Sequence, residues 1–197
     1  AIGTGTLRLQ NGAATEVYNT AVGYNAGESM TTGNNNTFIG GLAGDAITIA
    51  NNNIAIGINA LGAETEGDRN VAIGNYALAT QNNSDSDTYN VAIGWVAGQL
   101  ATTAVRNTLI GSNAGETLTT GSWNVAVGFQ ALNVEDANGS STAIGYRTLQ
   151  NQNAGAESYN VAVGFDAGRN VSTGIKNVIV GGEAGNALTT GFGNVAV

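Results

Sequence analysis

Short apolar runs alternate with glycine and polar residues along the whole chain. Each run consists of Asn, a small or β-branched residue, an apolar residue, and Ile or Val, and ends on Gly, as at 70–74, 124–128 and 177–181. Short β-prone runs bounded by glycine and asparagine are typical of strands that end in turns. Since no helical stripe extends beyond a turn or two, the pattern predicts an all-β protein.

The glycine that ends each run, called the motif glycine below, recurs at a nearly fixed interval. The interval is 17 residues in most cases and 19 or 20 in three. The motif glycines are Gly3, Gly23, Gly40, Gly57, Gly74, Gly94, Gly111, Gly128, Gly145, Gly164 and Gly181. Such a period indicates stacked repeat units, each called a coil below. Two short strands and two turns per coil, stacked about 4.8 Å apart, predict a parallel β-solenoid, or β-roll.

A second order groups the coils in fours. The residue four places after the motif glycine is leucine in two successive coils and glycine in the next two. Gly3, Gly74 and Gly145 are 71 residues apart, and the longer loops each follow the second leucine coil. We therefore expect one continuous array over 1–197, with super-repeats 1–71, 72–142 and a partial 143–197. Both ends cut a motif, so we also expect an internal segment of a longer chain.

The asparagine and the glycine that recur in each motif predict a hydrogen-bonded ladder and a bend. Stacked asparagines form hydrogen-bonded ladders in cross-β packing, and we expect such a ladder here, with Ser141 replacing one member. Its members are Asn19, Asn36, Asn53, Asn70, Asn90, Asn107, Asn124, Asn160, Asn177 and Asn194. The motif glycine is expected where φ is positive or a side chain would collide.

Both faces of each predicted strand are apolar. The central position is never polar, and the residues on either side of it are mostly Val, Ile or Thr. A strand that is apolar on both faces is expected to be covered on both. Identical chains around a shared axis would supply the second cover, so we expect a homotrimer, intertwined or side by side. A single wider β-helix is the alternative.

Composition removes several classes of function. The chain contains no cysteine, histidine or proline, 30 glycines, and a net charge of −8 with six scattered basic residues. It therefore offers no disulfide framework and none of the usual zinc ligands. No basic surface for nucleic acid is expected. No apolar run approaches the roughly 18 residues of a membrane-spanning helix.

The motif resembles repeats of known surface fibres. The strings 70–74 and 90–94 (Asn-Val-Ala-Ile-Gly) resemble the head repeats of trimeric autotransporter adhesins, and the stretch 19–40 resembles repeats in long phage tail fibres and large bacterial surface proteins. The resemblance covers essentially the whole chain and implies a β-roll with three chains packed together. The coils here are longer than those of the adhesin heads, so the turns are expected to differ.

Clustered carboxylates are the first candidates for chemistry. They lie at Glu64, Glu66 and Asp68, at Asp85 and Asp87, and at Glu135 and Asp136. The favoured interpretation is solvated acidic loops. Calcium binding, with Asp85 and Asp87 as candidate ligands, is a weaker possibility. A glycosidase pair involving Glu66, Asp85 or Asp87, as in polysaccharide-cleaving tailspikes, is weaker still. We expect no enzyme, no catalytic residue and no cofactor.

Threonines and aromatic residues offer two further readings. The Thr-Thr-Gly segments at 31–33, 119–121 and 189–191 could form an ice-binding face, but the leucine coils interrupt them, so turn-lining threonines are favoured.

Aromatic residues directly follow several motif glycines: Tyr24, Trp95, Phe129, Tyr146 and Phe165. They form either a glycan-binding strip or, as favoured, padding between coils or chains.

The sequence as a whole predicts a structural fibre shaft, extracellular, on a bacterial surface or in a virion tail fibre, that supports attachment. The alternative is that the segment is itself an adhesin for host or surface glycans. Its expected partner is a further copy of the same chain, with no nucleic acid and no membrane span.

Overall fold

A computed structural model describes residues 1–11, 17–84, 87–137, 139–155 and 157–197. Eleven short strands recur at the period of the motif. They are β1 Thr20–Val22, β2 Thr37–Ile39, β3 Ile54–Ile56, β4 Val71–Ile73, β5 Val91–Ile93, β6 Thr108–Ile110, β7 Val125–Val127, β8 Thr142–Ile144, β9 Val161–Val163, β10 Val178–Val180 and β11 Val195–Ala196. Each strand lies within one copy of the motif.

All eleven strands form a single parallel sheet in chain order. Equivalent residues pair without any slip: Ala72 of β4 pairs with Ala55 of β3 and with Ala92 of β5. The chain is therefore a parallel β-solenoid, and the predicted fold class is confirmed. No helix among the described residues is long and apolar enough to cross a membrane.

The side of the coil opposite the sheet is a stack of turns, so the expectation of two strands per coil is wrong for the described residues. Residues two and four places after the motif glycine have positive φ, for example Asn59 at 55° and Leu61 at 54°. Positive φ is incompatible with an extended strand. The turns are nevertheless bonded from coil to coil, since Gly44 N donates to Ala60 O at 2.9 Å.

The motif glycine closes the sheet side of each coil. At Gly94, φ is +142°, and a Cβ atom would lie 2.5 Å from the carbonyl oxygen of Gly111 in the next coil. A larger residue at this position would therefore be strained and would also collide with the neighbouring backbone.

The interior explains the alternation of leucine and glycine coils. Most strand centres are alanine, but one in four is large: Phe38, Leu109 and Ile179, all at most 1% exposed. A Cβ atom on Gly44 would lie 2.5 Å from the Phe38 ring, and one on Gly27 would lie 2.7 Å from it. Glycines therefore surround each large strand centre, because the large side chain fills the space that leucine occupies elsewhere.

Leucine coils fill the same interior from the turn side. Leu61 and Leu78 are fully buried opposite alanine strand centres, although their φ values are 54° and 50°. A left-handed backbone costs an L-residue about 1–2 kcal/mol. Burying a leucine side chain gives about 1.5–3 kcal/mol, which offsets that cost.

Candidate functional site

The asparagine ladder runs through the interior beside the sheet. Most ladder side chains bridge to the next coil in the same way: Asn107 Oδ1 accepts the Asn124 N–H at 2.9 Å, and Asn107 Nδ2 donates to Gly121 O at 3.0 Å. Direct amide-to-amide bonds also occur, as from Asn107 Nδ2 to Asn90 Oδ1 at 3.3 Å. The main link is thus between a side chain and the backbone. The predicted bonds between side-chain amides are present, but they are the secondary link.

Ser141 changes the ladder locally. Its N–H still donates to Asn124 Oδ1 at 3.0 Å, but its hydroxyl pairs with the Ser158 hydroxyl at 2.6 Å. Gln152 Nε2 donates to both hydroxyls at 3.0 Å, and Gln152 Oε1 accepts from Asn160 Nδ2 at 2.7 Å. Gln81 makes the equivalent bonds beside Asn70 and Asn90, so the contact that distinguishes Ser141 is its bond to the Ser158 hydroxyl.

Two of the acidic residues expected in solvated loops are fully buried, so that interpretation is wrong for them. Glu64 and Glu135 are both 0% exposed. Glu64 Oε1 accepts backbone N–H groups of Thr65, Glu66 and Gly67 at 2.9, 3.1 and 2.8 Å. Backbone donors that converge on a carboxylate satisfy it without a cation.

A buried glutamine in the following coil completes each of these carboxylate sites. Gln81 Nε2 donates to Glu64 Oε2 at 3.1 Å, and Gln152 Nε2 donates to Glu135 Oε2 at 2.6 Å. Both glutamines are 0% exposed. The Glu–Gln pair thus recurs once per super-repeat, always across a pair of leucine coils.

The remaining acidic candidates have separate surroundings. Asp68 is 8% exposed and accepts the Asn51 N–H at 2.6 Å, so it too is not a solvated loop residue. Glu66 and Asp136 are exposed as expected, and Asp87 is exposed and paired with Arg69. Asp85 lies outside the described residues. Within the described ranges, no three acidic side chains converge on a possible metal position; calcium binding at Asp85 and Asp87 stays a prediction.

Threonine hydroxyls along the turns bond to the adjacent coil. Thr31 Oγ1 donates to Thr48 O at 3.0 Å, and Thr102 Oγ1 donates to Thr119 O at 3.0 Å. These hydroxyls are used within the solenoid, which agrees with the turn-lining interpretation and argues against an ordered face of free hydroxyls.

The outer face of the sheet, called the sheet face below, consists of the first and third residues of every strand. These residues are only Thr, Val and Ile, with no charged side chain. The face is partly open to solvent: Ile39, Val178 and Val180 are each 40% exposed. A single chain therefore leaves uncovered the second apolar face that the sequence predicts.

The residues that directly follow the motif glycines form a second surface, called the post-glycine column below. Phe129, Tyr146 and Phe165 stack in it, with ring centroids 5.4 and 5.1 Å apart and planes within 16° of parallel. Trp95 and Tyr24 belong to the same column and are 56% and 61% exposed. The padding of coil against coil by aromatics is thus present at three coils, and all five aromatic residues are at least 40% exposed.

A third column, just before the ladder asparagines, was not recognised from the sequence. There the Arg69 and Arg106 guanidinium groups lie 5.3 and 5.8 Å from the centroid of the Tyr89 ring. Lys176 occupies the equivalent place near Phe192, at 5.3 Å. The signal was present in the sequence, because Arg69, Arg106 and Lys176 share one repeat position although they look scattered in a linear reading.

No protein-family model, curated protein or solved structure matches this chain.

Proposed function

We propose that this chain is a shaft segment of an extracellular or virion fibre, non-catalytic, that supports attachment to a host or surface. The observation that carries the proposal is the unbroken eleven-stranded parallel sheet, in which every coil bonds to the next in the same register. Backbone bonds, the asparagine ladder and the threonine bonds all run along one axis. Force applied along that axis is shared by many equivalent bonds, as a shaft requires.

We further propose that identical chains cover the sheet face, with three chains around one axis. Eleven strands at about 4.8 Å, each about 10 Å long, give a strip of roughly 500 Å². A standard interface buries about 800 Å² per partner. Association of this segment alone is therefore expected to be weak and to strengthen as coils are added.

Electron microscopy and sedimentation test the shaft and the trimer separately. Insertion of a second copy of 72–142 adds four coils, and the rod should lengthen by about 19 Å. The same insertion should shift the monomer–trimer equilibrium towards trimer at fixed concentration. A rod of unchanged length would overturn the shaft, whereas a lengthened rod that stays monomeric would overturn only the trimer.

Charged substitutions locate the interface. Ile93→Glu places a carboxylate on the sheet face and should abolish association, because an unpaired charge in an apolar interface is costly. Thr103→Glu is the matched control on the turn side, where residue 103 is exposed, and should associate like the parent chain. Equal association of the two variants would show that the sheet face is not the contact.

A second candidate function is glycan binding by the segment itself. The observation that favours it is the post-glycine column, whose aromatic rings are neutral and partly exposed in a chain of net charge −8. A glycan array probed with the isolated segment tests it, and the absence of any bound glycan would contradict it while leaving the shaft intact.

A further inference from the structure

The post-glycine column holds at most one ring per coil: five of its residues are aromatic, and the other six are Thr4, Gly41, Ile58, Asn75, Ser112 and Gly182. Where three successive coils carry aromatics, at Phe129, Tyr146 and Phe165, the centroid spacings of 5.4 and 5.1 Å follow the spacing of the coils. The faces of these three rings are therefore directed along the solenoid axis, towards the same position in the coils before and after, and Trp95 occupies the same repeat position.

The column has a regular gap. Tyr24, Trp95 and Phe165 are followed one coil later by Gly41, Ser112 and Gly182, which recur at 71 and 70 residues. A Cβ atom on Gly41 or Gly182 would meet no atom within 4 Å. A small residue with open space beside it therefore follows one aromatic residue in every super-repeat.

The gap at Ser112 has an aromatic residue on both sides. Trp95 precedes it by one coil and Phe129 follows it by one coil, so the two are about 9.6 Å apart along the axis. They are 56% and 42% exposed, and Ser112 between them is half-buried. The Ser112 hydroxyl forms no hydrogen bond within the described part of the chain, so it is free to bond to a ligand.

We propose that the gap formed by Trp95, Ser112 and Phe129 binds one pyranose ring of a neutral glycan. A pyranose has apolar C–H faces that pack on aromatic rings and a rim of hydroxyl groups that remains in water or bonds to a hydroxyl such as that of Ser112. None of the three residues is charged, and the net charge of −8 disfavours anionic sugars. This inference rests on the second proposed function and not on the shaft.

Tryptophan fluorescence tests the proposal directly. The chain has two tryptophans, so Trp123→Phe leaves Trp95 as the only reporter. Hexasaccharides of β-1,4-linked glucose and of β-1,4-linked N-acetylglucosamine serve as probes, up to about 10 mM, above the millimolar dissociation constant expected of a single-ring site. At least one of them should change the Trp95 emission in a saturable way. p-Cresol, an aromatic probe that is not a sugar, should not compete more strongly than the sugar.

Filling the gap is the decisive variant. Ser112→Phe, in the same background, completes the column with a residue type that it already holds at 129 and 165, and should weaken binding about tenfold or more because the ring layer is then occupied. Ser112→Ala is the matched control that leaves the gap open, and it should bind within a few-fold of the parent. Trp95→Leu, measured by calorimetry, should also lose binding and covers the case in which the phenylalanine disturbs folding.

Three results would overturn the proposal: no response to either hexasaccharide, undiminished binding by Ser112→Phe, or a response to p-cresol alone. Rod length and association state are measured on the same samples. Sugar binding that Ser112→Phe does not weaken refutes this site alone and leaves glycan binding by the segment intact. A chain that forms rods and binds no glycan at all refutes both, whereas a chain that forms no rods refutes the shaft.

Discussion

Leucine coils and glycine coils differ in how they fill the same interior. In a leucine coil the turn side supplies the bulk, at Leu61 or Leu78, and the seventh residue after the motif glycine is a buried polar one, Glu64 or Gln81. In a glycine coil the bulk comes from a strand centre such as Phe38, and the seventh residue is apolar, as Ile47. The backbone is nearly the same in both.

The difference shows that volume is conserved across the coil rather than at any one position. A large side chain can lie on the sheet side or on the turn side, but not on both. The polar pair Glu64 and Gln81 occurs where successive leucine coils adjoin, and it links the two coils by a hydrogen bond of 3.1 Å. The 71-residue super-repeat is thus a pattern of interior packing as well as of loop length.

The largest expected effect comes from exchanging one type of packing for the other. Phe38→Ala should lower the free energy of unfolding by about 3–5 kcal/mol because it leaves a cavity. Gly44→Leu should also destabilise, by about 1–3 kcal/mol, because its side chain meets the Phe38 ring. The double variant reproduces the leucine-coil pattern and should regain part of the loss in urea denaturation. Strictly additive losses would show that the two positions do not share one volume.

A smaller effect is expected at the buried carboxylate of the leucine coil. Glu64→Ala removes the acceptor for three backbone N–H groups and should cost about 1–3 kcal/mol, since buried donors are then left unpaired. Glu66→Ala, two residues away and exposed, is the control and should change stability by less than about 0.5 kcal/mol. Equal melting temperatures for the two variants would contradict a structural role for Glu64.

The smallest effect is expected at Asp45, which lies in a glycine coil. One oxygen of its carboxylate lacks backbone N–H donors of the kind that bond to Glu64. Its Oδ1 is buried without a hydrogen-bond partner within the described residues. Burial is the largest influence on the pKa of Asp45 and raises it above 3.8; hydrogen bonds from the backbone at 45 and 46 oppose the rise, and the negative Glu28 adds to it.

Because the pKa of Asp45 is higher in the folded chain, its contribution to stability is fully present below the unfolded pKa and is lost as the pH rises through the folded pKa. Asp45→Asn should therefore raise the melting temperature slightly at pH 7 and leave it nearly unchanged at pH 3. A larger gain at pH 3 than at pH 7 would contradict the assigned direction.

Local features of the sequence were enough to predict the strand within each motif, the coil length and the parallel stacking. A motif that returns every 17 residues places like residues over like, so Asn53 over Asn36 and Gly57 over Gly40 follow from spacing alone. The acidic residues could not be assigned in the same way. Glu64 and Glu66 look alike in the sequence, and only the fold separates the one that meets three backbone N–H groups from the one in solvent.

The sequence by itself determined the solenoid, because period and residue type depend only on the chain. The tertiary structure decided that each described coil has one strand and a turn instead of two strands, since the positive φ values at Asn59 and Leu61 are maintained by contacts with neighbouring coils. It also decided that Phe38 excludes a side chain at Gly44. Both outcomes depend on which atoms share a volume, and residues far apart in the chain share it only after the coils have stacked.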